Sequence, residues 1–261
     1  AYLGIPLFER LSKGLAFTSA GRSYHARVAS AFEDLRAATK TLRPEPGKVL
    51  VSVTPTFAAK WLIPNLSEFS AAHPEIDLGI LATEKVSSFH KDGIDLAVRQ
   101  ASPPFGAALQ ADLIFRQQVI AVAAPALVGA RTLPLDPEVL ERLPKLHDAH
   151  GLWPAFLKML GMTDRGGTGL RLSQTALAID AALSGQGVAL VSDFLVQRDI
   201  AAGRLIQLTP TGLEGGRDFY ILSGRGVKCG ASARAVRDWI LSKASPPQDE
   251  TTLSQARNET R

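Results

Sequence analysis

The apolar positions between Thr18 and Leu42 fall at Tyr24, Val28, Ala31, Leu35, Ala38 and Leu42, so their spacing alternates between four and three. That is a heptad seam, and it predicts one continuous helix about 36 Å long at about 1.5 Å per residue. Thr18 or Ser19 caps its start, and Pro44 with Pro46-Gly47 ends it. A helix lying on its own domain would carry a similar stripe. A long narrow stripe ahead of a Pro-Gly break fits a protruding dimerisation helix better. Upstream, Leu3, Ile5, Leu7 and Phe8 read as an apolar helix end, followed by Glu9-Arg10, a short basic turn and Leu15-Ala16-Phe17.

Beyond Lys48 the pattern changes to short β-branched runs separated by helical stretches. "KVLVSV", "IDLGILA", "GIDLAVR", "DLIFRQQVIAVAAP", "TGLRLS", "GVALVS", "RLIQL" and "RDFYILS" are the strand candidates. Helical periodicity covers Thr56 to Ala72, with Pro64 marking a kink or second start. Further helices are expected at 136–142, 153–160, 174–184, 194–202 and 231–243. Alternation of this kind predicts an α/β fold with mainly parallel sheets. The polar, Pro-containing residues 245–261 are expected to be a disordered tail.

Composition adds little except through charge placement. The 261 residues are 46% apolar and 21% charged, enough chain for two compact lobes or one large domain. No apolar run approaches the roughly 20 residues of a membrane span, and no export signal opens the chain. A single cysteine, Cys229, cannot form an internal disulfide, which points to a cytoplasmic setting. Residues 1–43 hold seven Lys or Arg against three acidic residues, and this segment carries the whole net charge of +4. A basic front on a neutral body suits contact with a polyanion.

The segment "LGIPLFERLSKGLAFTSAGRSYHARV" resembles the end of the DNA-binding domain of LysR-type transcriptional regulators. Leu3-Gly4, Leu7-Phe8 and Arg10 match the family's recognition-helix end. Thr18, Ala20 and Gly21 match the start of its linker helix, with Phe17 where leucine is usual. "TPTFAAKWLIPNLSEFSAAHPEIDL" and "GQGVALVSDFLVQRDIAAGRLIQL" look most like the subgroup of the glycine cleavage system activator and beta-lactamase regulators. The resemblance implies a two-lobed effector domain in the manner of periplasmic binding proteins. It would follow a linker helix (19–43) and the remnant wing of a winged helix-turn-helix (1–18). Lobe one would be 48–105 with 217–244, and lobe two 118–207. It also implies that most of the helix-turn-helix lies upstream of Ala1, so that this chain alone would not read DNA sequence. Arg10, Lys13 and Arg22 would contact the DNA backbone. The implied partners are DNA, a small effector, further copies in a homodimer or homotetramer, and RNA polymerase, without a membrane.

On that plan the effector sits between the lobes, where strand ends meet helix N-termini. "SVTPTFAA" places Thr54 and Thr56 beside free backbone amides, an arrangement suited to a carboxylate or another small anion, although plain N-capping uses the same residues. "LSQTALA" is the equivalent junction in lobe two, where Ser173, Gln174 and Thr175 lead into a helix and Gln174 is the polar candidate. Gln100 and Ser192 occupy similar strand ends, and Phe57 and Tyr220 would form apolar walls.

Catalytic patterns are poor. "HDAH" (His147, Asp148, His150) lacks an evident third and fourth metal ligand nearby. "GGTGL" and "GQGVAL" are not phosphate-binding fingerprints, and no Gly-x-Ser-x-Gly elbow occurs. No metal, cofactor or catalytic residue is expected. Two other readings remain open at this point, a solute-binding protein of a transporter and a cytoplasmic α/β enzyme.

Overall fold

The computed structural model describes residues 3–12, 14–42, 47–85, 89, 92–163, 169–225 and 230–244. Lys13, Cys229, the tail expected at 245–261 and the seam side chains Ala38 and Leu42 lie outside the described residues.

Strands β1 (Phe8–Leu11) and β2 (Gly14–Phe17) form an antiparallel hairpin in which Phe8 faces Phe17, their rings 4.8 Å apart. The hairpin is tied to helix α1 (Ser19–Leu42) by Thr18. The Thr18 hydroxyl accepts from the Gly21 amide (2.9 Å) and donates to the Pro6 carbonyl (2.8 Å), while the Thr18 amide donates to the Leu7 carbonyl (3.1 Å). Gly21 is buried at this junction, and a Cβ there would lie 1.9 Å from the Leu7 oxygen. Only glycine permits that approach. Further along α1, Tyr24, Phe32 and Leu35 are 47%, 61% and 63% exposed.

The first lobe is built on a five-stranded sheet ordered β4-β3-β5-β13-β6. Its strands are β3 (Lys48–Val53), β4 (Asp77–Ala82), β5 (Leu96–Ala101), β6 (Leu109–Phe115) and β13 (Asp218–Gly224). Strand β3 runs parallel to β4 and β5, whereas β13 is antiparallel to both of its neighbours. Helices α2 (Pro55–Phe57) and α3 (Ile63–Ala72) are joined by a π-helical turn, Ala58–Leu62, and α9 (Ala231–Ala244) also packs on this lobe. The turn has a cause in the sequence. Pro64 has no N–H and its ring crowds the carbonyl four residues back, and just before it the Ile63 amide reaches back to the Ala58 carbonyl.

In the second lobe β7 (Gln118–Ala123) is central and antiparallel to β10 (Ala189–Ser192), β11 (Ile206–Gln207) and β12 (Leu213–Glu214). The parallel pair β8 (Lys145–His147) and β9 (Gly169–Arg171) continues the layer through a bridge between Lys145 and Val188. Its helices are α4 (Pro125–Val128), α5 (Pro137–Arg142), α6 (Trp153–Met159), α7 (Thr175–Leu183) and α8 (Gln197–Ala201), with a 3₁₀ turn at Asp193–Leu195.

The expectation of mainly parallel sheets is therefore corrected. β6 passes into β7, and β12 into β13, through two short crossings between the lobes. β7 and β13 each start at a crossing, where β10, β12, β5 and β6 end, so they run against these neighbours. β6 and β12 fall in the intervals that the sequence reading left between the lobes.

β7 is buried on both faces. Ile120 and Val122 join a core cluster shared with the first lobe, and Val119, Ala121 and Ala123 join a second cluster with Leu140, Trp153 and Phe156. The shared cluster includes Phe57, Trp61, Phe115, Phe194 and Phe219, with Phe115 stacked on Phe194 at 4.0 Å. Apolar packing thus runs unbroken from one lobe to the other beneath the crossings. No helix among the described residues is long and apolar enough to cross a membrane.

Candidate functional site

A cavity of about 400 Å³ lies between the lobes, at the strand ends beside the crossings. Thr54, Thr56, Phe57, Gln100 and Ser192 line it, five of the seven positions expected from the sequence. Thr54 ends β3 in an extended conformation and caps α2, its hydroxyl accepting from the Phe57 amide at 3.4 Å. Pro55 has no N–H, and the Thr56 amide, in the first turn of α2, has no intrahelical carbonyl to reach. The Thr56 hydroxyl accepts from the Ala176 amide of the other lobe at 3.2 Å. Phe57 is fully buried and packs on Trp61, Phe194 and Phe219. Gln100 donates to the Arg217 carbonyl at 3.3 Å, and Ser192 accepts from Gln117 Nε2 at 3.4 Å.

Gln174 and Tyr220 do not line the cavity. Each stands one residue from a neighbour that does, Thr175 and Phe219. Gln174 precedes α7, where its carbonyl accepts from the Leu177 and Ala178 amides and its side chain makes no cap. Tyr220 is set on the other face of β13, edge-on to Phe105 at 4.7 Å, while Phe219 packs on Phe57 and Phe194. Successive residues of a strand point to opposite faces, so one step moves a side chain out of the site.

The charged lining comes from residues the sequence did not single out for it. Arg99 of β5 is half-buried, and it donates to the Ser52 carbonyl (2.9 Å), the Val98 carbonyl (2.8 Å), the Ser52 hydroxyl (2.6 Å) and the Lys85 carbonyl (3.2 Å). Burial lowers its pKa from the ordinary arginine value, and the charge of Glu84 opposes that shift. Arg217 of the second crossing and Glu84 also line the space. From lobe two come Asp148 and His150, with Asp148 Oδ2 accepting from the Thr175 hydroxyl at 2.6 Å and Oδ1 from the His150 amide at 3.0 Å. No cluster of three or more metal-ligating side chains occurs among the described residues.

At the amino end, Arg10 and Arg22 are exposed, and Arg22 Nη1 donates to the Phe17 carbonyl at 2.8 Å. Tyr24, Ala31 and Leu35 of the seam are exposed and Val28 is half-buried.

Fold and site can be set beside known proteins. Residues 43–245 match the LysR substrate binding domain family. The glycine cleavage system transcriptional activator of Escherichia coli (strain K12) is 31% identical over 253 residues, spanning 95% of this chain and 83% of that protein. Among solved structures, the effector domain of the transcriptional regulator AmpR of Pseudomonas aeruginosa is 21% identical. It superposes with a TM-score of 0.62 over 81% of this chain and 98% of its own. CrgA, a LysR-type transcriptional regulator from Neisseria meningitidis, is 23% identical, with a TM-score of 0.63 over 94% of this chain and 86% of its own. With a two-lobed α/β body, a cleft at the strand ends and a hairpin-led helix ahead of it, this chain belongs to the LysR-type transcriptional regulators.

Proposed function

We propose that this regulator senses a small anionic effector in the interlobe cavity and passes the signal to DNA through α1. One observation carries the reading: a half-buried arginine, Arg99, and the hydroxyls of Thr54 and Thr56 converge with apolar walls in a cavity between the lobes, an arrangement suited to holding a small anion. The Thr56 amide and Arg99 supply the positive side of the site. Ligand that bridges Thr54 and Thr56 to lobe two favours one relative setting of the lobes, because only differential affinity for two settings can shift their populations.

The apolar seam Tyr24, Val28, Ala31 and Leu35 pairs with the same seam of a second copy. Arg10 and Arg22, and Lys13 by sequence, contact the DNA backbone and contribute salt-sensitive affinity. Binding to DNA and to RNA polymerase would place the protein in the cytoplasm.

The test is a thermal-shift screen of the chain against amino acids, small carboxylates and cell-wall fragments, followed by titration of the hits into Thr54→Val. The substitution is expected to weaken binding while leaving the fold and self-association largely intact, with a stability loss of about 1 kcal/mol from the missing cap. Unchanged affinity would show that the cleft at Thr54 is not the effector site.

A further inference from the structure

The two helix N-termini that face the cavity are not equivalent. On the lobe-one side, Thr56 in the first turn of α2 lines the cavity, as do Arg99 and Arg217. At α7 the corresponding groups are already engaged: the Ala176 amide donates to Thr56, and the Thr175 hydroxyl donates to Asp148. Asp148 therefore brings a fixed negative charge to the first turn of α7, the place where the helix dipole would otherwise favour an anion from solution. Its second oxygen is held by the His150 amide, so the carboxylate is oriented as well as placed. Among the described residues that line the cavity, lobe two supplies no Lys or Arg, and Asp148 is its carboxylate. The acidic group on the opposite side, Glu84, is exposed and sits near Arg99.

Resting on the reading of the cleft as an effector site, we infer that Asp148 sets the polarity of the ligand. The anionic end lies toward Arg99 and the Thr56 amide of lobe one, and a hydrogen-bond donor, hydroxyl or ammonium, lies toward the Asp148 carboxylate of lobe two. A molecule with an anionic group at both ends is refused, because its second charge would meet Asp148 in a partly enclosed space where like charges are poorly screened.

The probes are matched acids of about three to six carbons, a size suited to a cavity of this volume. Each chain length is represented by the monocarboxylate, the hydroxy acid, the amino acid and the dicarboxylate, titrated into the whole chain by thermal shift and calorimetry. The expected result is binding of hydroxy or amino acids and none of the dicarboxylates, the two donor arms telling hydroxyl from ammonium. Asp148→Asn keeps an acceptor for Thr175 and removes the charge. It should cost the donor-bearing acids about tenfold or more in affinity and admit the matched dicarboxylate. Thr175→Val leaves the charge in place and should still refuse dicarboxylates, which keeps the test decisive if Asp148→Asn folds poorly. Dicarboxylates that bind the unaltered chain as tightly as their donor-bearing partners would overturn the polarity and leave the anion site standing. An unchanged preference in Asp148→Asn would do the same. A panel in which no acid of any kind binds would overturn the anion site and the polarity together.

Discussion

The hydroxyl of Thr56, in the first turn of α2, accepts a hydrogen bond from the amide of Ala176, in the first turn of α7, so the two lobes meet directly at a residue that lines the cavity. The lobes are also joined by Lys60 with Asp180 and by Arg198, which donates to the Pro64 carbonyl (2.6 Å) and to Asn65 (2.7 Å). These later contacts are exposed and weak individually. Thr56 is 9% exposed, and its bond satisfies an amide that has no helical acceptor.

Thr56→Val keeps the shape and removes the acceptor. The Ala176 amide is then left without a partner in a part-buried place, at an expected cost of about 1–3 kcal/mol. Denaturant unfolding checks the magnitude. Amide exchange at Ala176 that speeds up far more than exchange in β3 or β10 would locate the effect at the lobe contact.

Gly21→Ala puts a methyl group into the Leu7 carbonyl, a backbone atom that cannot move aside cheaply. The expected outcome is undocking of the β1–β2 hairpin from α1, with the melting of the effector lobes unchanged. Limited proteolysis reads the first effect as cleavage near residues 11–18, and the thermal melt reads the second. A resistant hairpin would show that the contact with Leu7 is not needed.

Leu35→Asp places a charge in the middle of the proposed seam, 63% exposed in the single chain. A solvated side chain tolerates the change with little loss of monomer stability. A paired seam does not, so sedimentation velocity should show a shift toward monomer at concentrations where the unaltered chain self-associates. An unchanged sedimentation profile would remove α1 as the pairing element.

Asp193 opens the 3₁₀ turn after β10, and burial raises its carboxyl pKa above the ordinary value, against the opposing bond from the Phe194 amide (2.7 Å). Within the window between the unfolded and the raised folded value, the folded chain holds more protons than the unfolded one. Stability from this group is present below the unfolded pKa and is lost as pH rises through the folded one. Asp193→Asn keeps the acceptor and drops the titration. The melting temperature of the variant relative to the parent should therefore rise between about pH 3.5 and pH 7. A constant difference across that range would contradict the assignment.

The architecture was legible because periodicity and turn residues are local. The run Val49, Val51, Val53, the break at Pro64 and the Thr18 cap can each be read from a few neighbours. The site was legible only to within a residue. Thr54, Thr56 and Phe57 follow from a strand-to-helix junction. Gln174 and Thr175 stand at the start of α7, where no local signal tells which of them turns to the cavity, and Tyr220 lies on a strand whose period does not announce which face turns inward. Arg99, beside Gln100, is illegible for a different reason. Its role depends on Ser52, 47 positions away in sequence, which accepts from it. From the sequence, Asp148 reads as part of a metal pattern, since nothing local to "HDAH" reveals that Thr175 stands 2.6 Å away. The strand run at 112–123 likewise hid a change of sheet at Arg116-Gln117, where the chain leaves one lobe for the other.

The welding of the hairpin to α1 through Thr18 and Gly21 turns the amino end into a lever of fixed angle. Over a shaft of about 36 Å, a tilt of about 10° at its base carries the hairpin roughly 6 Å sideways, close to the span between neighbouring phosphates along a DNA strand. A loose joint at that corner would absorb so small a swing before it reached the tip. On the proposed route from cleft to DNA, the stiffness of a glycine-sized gap sets how much of such a swing is delivered at the tip.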